Sequence, residues 1–362
     1  MTHEAPVHGG QLHDLAARFG VPLDHLLDFS ANINPDGPPP GVLEALRAAL
    51  IDPATLTHYP DLDSSELRVA LSQHHNLPPE AVSVANGFVP LLEATLRCLN
   101  LRRCLLPVPA FGEYRKTLER TGVQVEPYPL SPEENFRYDP RRILSSLLAG
   151  GHDAILLANP QNPSGVLTPL ADLMHLLEAA ARHNIHVLLD EAFIDYTPQH
   201  SAGPLISRFP NLTIFRSVTK FYAIPGLRVA YVLSSPTLRS AIARTLAPWP
   251  ISTLASKAAI AALADPIFPH TTIARNAARR APLAAGLHQL GLQTYPAAAN
   301  FLLLHLPPAT DATGLWSRLI FDHHIVLRLC TTFENLTPGH LRLAVRTPEP
   351  NQALLEALRR TL

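Results

Sequence analysis

Lys220 is one of three lysines in a chain that contains 29 lysines and arginines. It stands in the stretch RSVTKFYAIPGLRVAY, residues 216–231, beside Ser217 and Thr219 and eight residues before Arg228. A lysine amine can lose its proton and become a nucleophile, whereas an arginine guanidinium stays protonated. Because a compositional bias toward arginine would also make lysine scarce, a covalent role for Lys220 depends on its neighbours.

Polar residues also follow several other apolar runs of the chain. Asn86 and Gly87 follow VSVA, Asn162 lies in NPQNPSG after AILLA, and Asp190 follows HVLL. Each has an ordinary alternative, since NPQNPSG could be a proline turn, Asp190 a helix cap and Lys220 a solvated charge. They become informative if the fold brings all of them to one place.

The elements that would position these residues are predicted by apolar runs that alternate with amphipathic stretches. Short apolar runs predict buried strands, and the stretches between them have helical spacing. Thr168 is expected to cap a helix that begins at Pro169. This alternation favours an α/β fold with a mostly parallel sheet, whose ligands bind at the carboxyl ends of the strands. The predicted strands are 82–86, 103–109, 154–159, 186–193, 212–217 and 228–235.

Pyridoxal 5′-phosphate (PLP) is a cofactor that would use every one of these groups. Its aldehyde requires a lysine amine, here Lys220, and its pyridine nitrogen requires a carboxylate, here Asp190. Asn162 can donate a hydrogen bond to its phenolic oxygen. Its phosphate suits a helix N-terminus, hydroxyl groups and an arginine. These are supplied by the backbone at Asn86, Gly87 and Phe88 and by the side chains of Ser217, Thr219 and Arg228.

The C-terminal part has a different pattern, which predicts a second, smaller domain. Helices are predicted near 273–290, 311–322 and 349–361, with short strands between them. Mixed strands and helices of this kind favour an α+β domain. We therefore predict an N-terminal segment at 1–50 that joins the small domain and covers the active site, a large PLP-binding domain at 51–247 and a small domain at 248–362.

Composition and charge argue against several other classes of protein. The formal net charge is −1 and no basic block occurs, so we expect no nucleic-acid partner. No apolar run approaches the roughly 18 residues that a membrane span requires, and the N-terminus lacks the apolar region of a signal peptide. Cys98, Cys104 and Cys330 lack metal-ligand spacing, so we expect reduced thiols, no metal and a cytoplasmic location.

The motifs NPQNPSG, LLDEAFIDY and RSVTKFYAIPGLRVAY, in this order, resemble those of the fold-type-I PLP enzymes of the aspartate aminotransferase group. The resemblance implies a large three-layer domain with a mostly parallel sheet and a smaller α+β domain. It implies catalytic roles for Lys220 and Asp190, and it adds Phe111 as the ring that stacks on the pyridine. It also matches Tyr59 with a tyrosine that reaches the neighbouring subunit's cofactor phosphate, which implies a homodimer with shared active sites.

The reaction depends on groups outside this cofactor set. An amino acid joined to PLP can lose its α-proton or its carboxylate. The core resembles histidinol-phosphate aminotransferases, whereas HGG at 8–10 and LLDFSANINPDGPP at 26–39 resemble the L-threonine-O-3-phosphate decarboxylases. The second resemblance runs nearly end to end. It implies decarboxylation of O-phospho-L-threonine to (R)-1-amino-2-propanol O-2-phosphate, a linker in the nucleotide loop of cobalamin.

A phosphorylated amino acid carries a carboxylate and a phosphate near its amine, so its site needs several fixed donors. By position in the family-like segments, the candidates are His8, Asn32, Arg328 and Arg342. Planar guanidinium groups suit both anions. We expect Arg342 nearer the carboxylate and the other three nearer the phosphate. Strand alternation equally allows Arg328 or Arg342 to face solvent, and Arg346 competes with Arg342.

Two departures from the family pattern leave other functions open. Phe88 and Val89 replace polar side chains of a GNGET-like motif, and Phe193 stands where many related aminotransferases have a tyrosine. O-phospho-L-serine is an alternative substrate, because a missing methyl changes discrimination by only about 1–3 kcal/mol. A histidinol-phosphate-type aminotransferase is a second alternative. A catalytically silent PLP-binding module is a third, which the intact set of Asn162, Asp190 and Lys220 disfavours.

Overall fold

The computed structural model describes residues 6–308 and 310–362. The strands are numbered in chain order. They are β1 (Leu27–Asp28), β2 (Val82–Asn86), β3 (Arg103–Val108), β4 (Gln124–Pro129), β5 (Ala154–Ala158), β6 (His186–Asp190), β7 (Leu212–Ser217), β8 (Val229–Leu233), β9 (Gln293–Thr294), β10 (Phe301–His305), β11 (Ile325–Val326), β12 (Arg328–Leu329) and β13 (His340–Ala344).

The helices flank and connect these strands. They are α1 (Leu12–Phe19), α2 (Pro40–Ile51), α3 (Ala54–Thr57), α4 (Ser65–His75), α5 (Phe88–Leu99), α6 (Gly112–Arg120), α7 (Pro140–Gly150), α8 (Leu170–Arg182), α9 (Pro236–Thr245), α10 (Thr253–Leu263), α11 (Phe268–Gln289), α12 (Ala312–His323) and α13 (Pro348–Thr361).

The large sheet has seven strands in the order β2-β8-β7-β6-β5-β3-β4. Strands β3 to β7 pair in parallel, whereas β8 runs antiparallel to both of its neighbours, β2 and β7. Because β8 is reversed, its first residues lie at the edge where the other strands end. Asn86 pairs with Val229 there, and Ser217 pairs with Ala230. The predicted mostly parallel sheet is confirmed, and its one reversed strand brings Arg228 to the expected edge.

Helices cover both faces of this sheet, as the buried strands require. On one face the core includes Leu71 of α4, Leu177 of α8 and Ala258 of α10. On the other face it includes Leu92 of α5 and Leu118 of α6. The resulting three layers match the predicted fold class.

A smaller antiparallel sheet, ordered β12-β13-β10-β9, has its own core. Strand β1 from the N-terminal segment pairs in parallel with β11, so Leu27 lies opposite Ile325. Leu15 of α1 is buried in the same core. Helix α1 and strand β1 therefore pack with the C-terminal elements, whereas Val42 of α2 is buried in the core beside the large sheet.

One predicted helix start was wrong. Helix α8 begins at Leu170, with Pro169 at the cap position and no side-chain cap. Thr168 instead exchanges two backbone hydrogen bonds with the side chain of Asn159, at 2.8 and 3.0 Å. Its backbone is therefore committed to the NPQNPSG turn. Within residues 6–308 and 310–362, no helix combines the length and hydrophobicity needed to cross a membrane.

Candidate active site

Asp190 ends β6 at the carboxyl edge of the large sheet, and its carboxylate is buried. Its Oδ1 accepts a hydrogen bond from the backbone N–H of Ala192 at 2.8 Å, and its Oδ2 accepts one from the Tyr114 hydroxyl at 2.5 Å. Burial raises the pKa of Asp190, while the Tyr114 bond and the charge of Lys220 oppose that rise. The carboxylate is thus fixed at both oxygens.

Lys220 follows β7 and points its amine toward the same edge. Its Nζ lies 3.4 Å from Ser217 Oγ, which in turn lies 2.7 Å from Thr219 Oγ1. Burial lowers the pKa of Lys220, Asp190 opposes that shift, and Arg228 adds to it. A lowered pKa makes the neutral amine, which is the nucleophilic form, more available.

The start of α5 forms a cradle for an anion together with Arg228. Gly87 has φ +96°, and a Cβ on it would lie 3.0 Å from Arg228 Nη2. A side chain at this position would therefore be strained and would fill the space beside the guanidinium. The free N–H groups at the beginning of α5 carry the positive end of the helix dipole. Ser217, the last residue of β7, and Thr219 just after it are buried.

Aromatic rings line the cofactor side of this edge. Phe111 precedes α6, with its ring centroid 5.6 Å from that of Tyr114 and 6.4 Å from that of Phe88. Phe193 is buried and packs edge-on against Phe301 at 4.9 Å.

Tyr59 lies apart from these rings. It is 79% exposed and stacks on Trp249 at 4.4 Å, on the outer surface of the described chain.

Arg342 connects the small sheet with the NPQNPSG turn. Its Nη1 donates to Asn162 Oδ1 at 2.6 Å, and its Nη2 donates to the backbone oxygen of Ser30 at 3.1 Å. Burial lowers the pKa of Arg342 to about 10. The structure therefore brings a predicted substrate residue together with the residue predicted to contact the phenolic oxygen.

Arg328 lies directly opposite Arg342, because β12 and β13 pair at these two residues. Both side chains are buried, and neither forms a salt bridge with a carboxylate of the described residues. Both guanidinium groups lie over the ring of Phe333, at 5.3 and 5.9 Å. Two like charges placed opposite each other on neighbouring strands are unfavourable without a counter-ion. Arg346, the predicted competitor, lies beyond the end of β13.

The N-terminal segment reaches Arg328 and Phe111. Arg328 donates to the backbone oxygens of Pro6 and Val7 at 2.7 and 2.5 Å. His8 is exposed, lies 3.2 Å from Glu113 Oε1, and has its ring 6.0 Å from that of Phe111. The start of the described chain therefore contacts both Arg328 of β12 and the beginning of α6.

Two glycines explain why the HGG motif can lie so close to the 26–39 segment. A Cβ on Gly9 would overlap the backbone oxygen of Ser30, and Gly10 donates from its N–H to Ser30 Oγ at 2.9 Å. Asn32 is buried nearby in sequence, with an Oδ1 that has no partner among the described residues.

Sequence reasoning missed Tyr114, Ser30 and Thr332. Thr332 accepts from Arg328 Nη2 at 2.6 Å and so helps to orient that guanidinium. Tyr114 could have been found from the sequence, because it follows Phe111 by only three residues and Phe111 is the ring predicted to stack on the pyridine. The contacts of Ser30 and Thr332 join segments that are distant in the chain or in a loop, and no local pattern indicates them.

Comparison with known proteins agrees with this geometry. The model of the aminotransferase class I and II family matches residues 24–358. The chain belongs to this family. It is 34% identical to a threonine-phosphate decarboxylase from Salmonella typhimurium over 98% of this chain and 96% of that protein. It is 30% identical to a histidinol-phosphate aminotransferase from Lactiplantibacillus plantarum over 96% of this chain and 94% of that protein.

A solved structure is also similar to this chain. The crystal structure of L-threonine-O-3-phosphate decarboxylase from Porphyromonas gingivalis superposes with a TM-score of 0.81 at 25% identity. It covers 92% of this chain and 98% of that one. This chain is a PLP-dependent enzyme. The amine of Lys220, the buried carboxylate of Asp190 and the space kept open by Gly87 fit that cofactor.

Proposed function

We propose that the enzyme decarboxylates O-phospho-L-threonine to (R)-1-amino-2-propanol O-2-phosphate, for assembly of the nucleotide loop of cobalamin. The observation that carries the proposal is the pair of buried arginines, Arg328 and Arg342, opposite each other without a carboxylate partner among the described residues. A substrate with both a phosphate and a carboxylate supplies the two anions that this pair lacks. The likeness to a threonine-phosphate decarboxylase over 98% of the chain supports the same substrate.

The residues of the chain have distinct tasks in this reaction. When bound, PLP accepts the electron pair that remains on Cα after a bond to that carbon breaks. The amine of Lys220 would hold the cofactor aldehyde, and the same amine would return a proton to Cα. Asp190 holds the pyridine nitrogen in its protonated form, and Asn162 holds the phenolic oxygen.

The arginines orient the substrate in the proposed site. Arg342 lies beside Asn162 and so binds the carboxylate close to the cofactor. Arg328, with His8 and Asn32, binds the phosphate. The substrate carboxylate must still leave as carbon dioxide. Arg342 therefore has to bind the carboxylate less tightly in the ground state than the other residues bind the phosphate. Decarboxylation of O-phospho-L-serine remains an alternative, because the same two anions would be bound.

A histidinol-phosphate-type aminotransferase is the second candidate function. The 30% identity to such an enzyme favours it. An aminotransferase would also bind glutamate and 2-oxoglutarate in the same site, and their carboxylates would pair with the two buried guanidinium groups just as well. The higher identity to a threonine-phosphate decarboxylase, 34% against 30%, favours the decarboxylase.

We further propose that the enzyme is a homodimer in which Tyr59 reaches the cofactor phosphate of the partner. Tyr59 is 79% exposed beside Ile51 at 81% and Leu56 at 72%, in a segment that also includes exposed Leu62. Large apolar side chains exposed together on a surface are typical of a subunit interface. The outward position of Tyr59 in a single chain agrees with a role in the neighbouring site.

Mass-spectrometric analysis of the products formed from O-phospho-L-threonine tests the reaction. With 2-oxoglutarate omitted, we expect 1-amino-2-propanol O-2-phosphate from the holoenzyme and none from Lys220→Ala. Adding 2-oxoglutarate should not change the yield. Glutamate formed only when the keto acid is present would identify an aminotransferase and contradict the proposed decarboxylation.

A further inference from the structure

Tyr114 is bonded to the carboxylate that the cofactor requires. Its hydroxyl donates to Asp190 Oδ2 at 2.5 Å, and the ring is 2% exposed. Burial and the neighbouring Asp190 charge raise the pKa of Tyr114 well above its ordinary range, so its hydroxyl remains a donor. Asp190 Oδ1 is occupied separately by the N–H of Ala192.

The surroundings of this bond are aromatic, and the two bonded side chains are buried. The ring of Tyr114 lies 5.5 Å from that of Phe88 and 5.6 Å from that of Phe111, and Phe88 contacts Phe215 at 5.2 Å. A hydrogen bond to a charged group is stronger in such an environment than in water. Phe88, which departs from the polar family pattern, thus has a place in the site as part of this enclosure.

Few other titratable groups face Asp190. Lys220 favours its charged form, and Tyr114 does the same through its hydrogen bond. Tyr138 is buried nearby, but its hydroxyl bonds to the backbone oxygen of Ala158 at 3.0 Å. Among these groups Tyr114 alone donates a side-chain hydrogen bond to the carboxylate and is not itself a cofactor ligand.

We propose that Tyr114 is a positioning residue that keeps Asp190 ionised and oriented, so that the proton between Asp190 and the pyridine nitrogen stays on the nitrogen. The proposal rests on the proposed contact between Asp190 and that nitrogen. A donor to the carboxylate stabilises the ionised acid, which favours the pair of carboxylate and protonated ring over the neutral pair. Without the donor the proton shifts toward Asp190, and the ring accepts electrons less well.

Helix α6 explains how the sequence builds this arrangement. Phe111 occupies the N-cap position and Tyr114 lies in the first turn, with their ring centroids 5.6 Å apart. The beginning of one helix therefore carries both the ring predicted to stack on the cofactor and the donor to Asp190.

The test is Tyr114→Phe, read by the ¹⁵N chemical shift of ring-labelled PLP in the holoenzyme across pH. We expect the ¹⁵N shift of the variant to move toward that of a neutral ring at every pH, because the proton moves from the nitrogen to Asp190 within the pair. We also expect kcat to fall roughly ten- to hundred-fold, the usual effect of losing one hydrogen bond to a charged group. The cofactor should remain bound, because Lys220 and the cradle at Gly87 are unchanged.

Tyr138→Phe is the matched control, since it removes a buried hydroxyl that bonds to a backbone oxygen instead of Asp190. It should destabilise the protein to a similar degree and leave the ring nitrogen protonated. An unchanged ¹⁵N shift in Tyr114→Phe, or the same change in Tyr138→Phe, would overturn the proposal.

An Asp190→Asn background separates the two claims. There Tyr114→Phe should cause no further change in the ring nitrogen, because its target charge is absent. If Asp190→Asn by itself leaves the nitrogen protonated, the proposed contact of Asp190 fails before the role of Tyr114 is reached. If Tyr114→Phe alone does not fold, folding of the double variant supports the proposal, and its failure to fold overturns it.

Discussion

At the scale of residues, burial acts in opposite directions on the two charged groups of the cofactor site. It lowers the pKa of Lys220 and raises that of Asp190, while each group partly restores the other. The result is an amine that loses its proton more easily than an ordinary lysine, beside a carboxylate that is stabilised in its ionised form by its partners. Both conditions suit a site that binds an aldehyde and protonates a pyridine.

Lys220→Met tests the state of this amine in the cofactor-free protein. Between the lowered pKa in the folded chain and the ordinary lysine pKa of about 10.4, the unfolded chain binds more protons. The free energy of unfolding of the unaltered protein therefore rises with pH in this window. We expect that rise, measured by denaturant unfolding against pH, to be absent from Lys220→Met. Parallel curves for the two chains would show that burial does not lower the pKa of Lys220.

Arg342→Ala and Arg328→Ala test the two proposed anion contacts. Each should lower kcat/KM for O-phospho-L-threonine by roughly ten- to hundred-fold, as expected for a lost charge-assisted hydrogen bond. Both should keep the visible absorbance of lysine-bound PLP, because the cofactor residues are unchanged. Arg346→Ala, just beyond β13, is the control. Equal losses in all three variants would indicate damage to the small sheet instead of lost substrate contacts.

At the scale of elements, the cofactor half of the site was predictable and the substrate half was less so. Asp190 and Lys220 follow buried strands, and the ends of parallel strands meet at one edge whatever their order. Arg328 and Arg342 lie opposite each other because of the register between β12 and β13, and no local sequence pattern specifies that register. Thr168 was misassigned because its backbone is held by Asn159, a contact within the turn that competes with helix capping.

Gly9→Ala tests whether the close approach of the N-terminal segment matters for the substrate. A Cβ at this position would overlap the backbone oxygen of Ser30, so the segment carrying His8 must move. We expect a several-fold higher KM with unchanged PLP absorbance. Gly41→Ala in α2 is the matched control, because a Cβ there has no atom within 4 Å. A KM that responds equally to both substitutions would contradict the role of the segment.

At the scale of the whole molecule, the packing of the elements differs from the domain limits that the sequence predicts. Helix α10 begins after the predicted limit at 247, yet Ala258 and Ala259 are buried in the core beside the large sheet. The N-terminal segment, in turn, contributes β1 to a pair with β11. The packing of these elements therefore does not follow the predicted limits of the domains along the chain.

Mixing variants tests the proposed homodimer with shared sites. Lys220→Ala and Tyr59→Ala subunits are each expected to be impaired, but in a mixed dimer one site has both an intact Lys220 and an intact Tyr59. Random exchange should restore about one quarter of the sites, measured as decarboxylase activity. Lys220→Ala mixed with Asp190→Asn is the control, because both residues serve the same chain's site. No recovery in the first mixture would contradict shared sites.

The most direct measurement gives the enzyme carboxyl-labelled O-phospho-L-threonine and histidinol phosphate together, with 2-oxoglutarate present. The proposed decarboxylation predicts that labelled carbon dioxide is released and that histidinol phosphate is left unchanged. No glutamate should form. Glutamate accumulating while the label stays on the amino acid would contradict the account, because the enzyme would then be an aminotransferase.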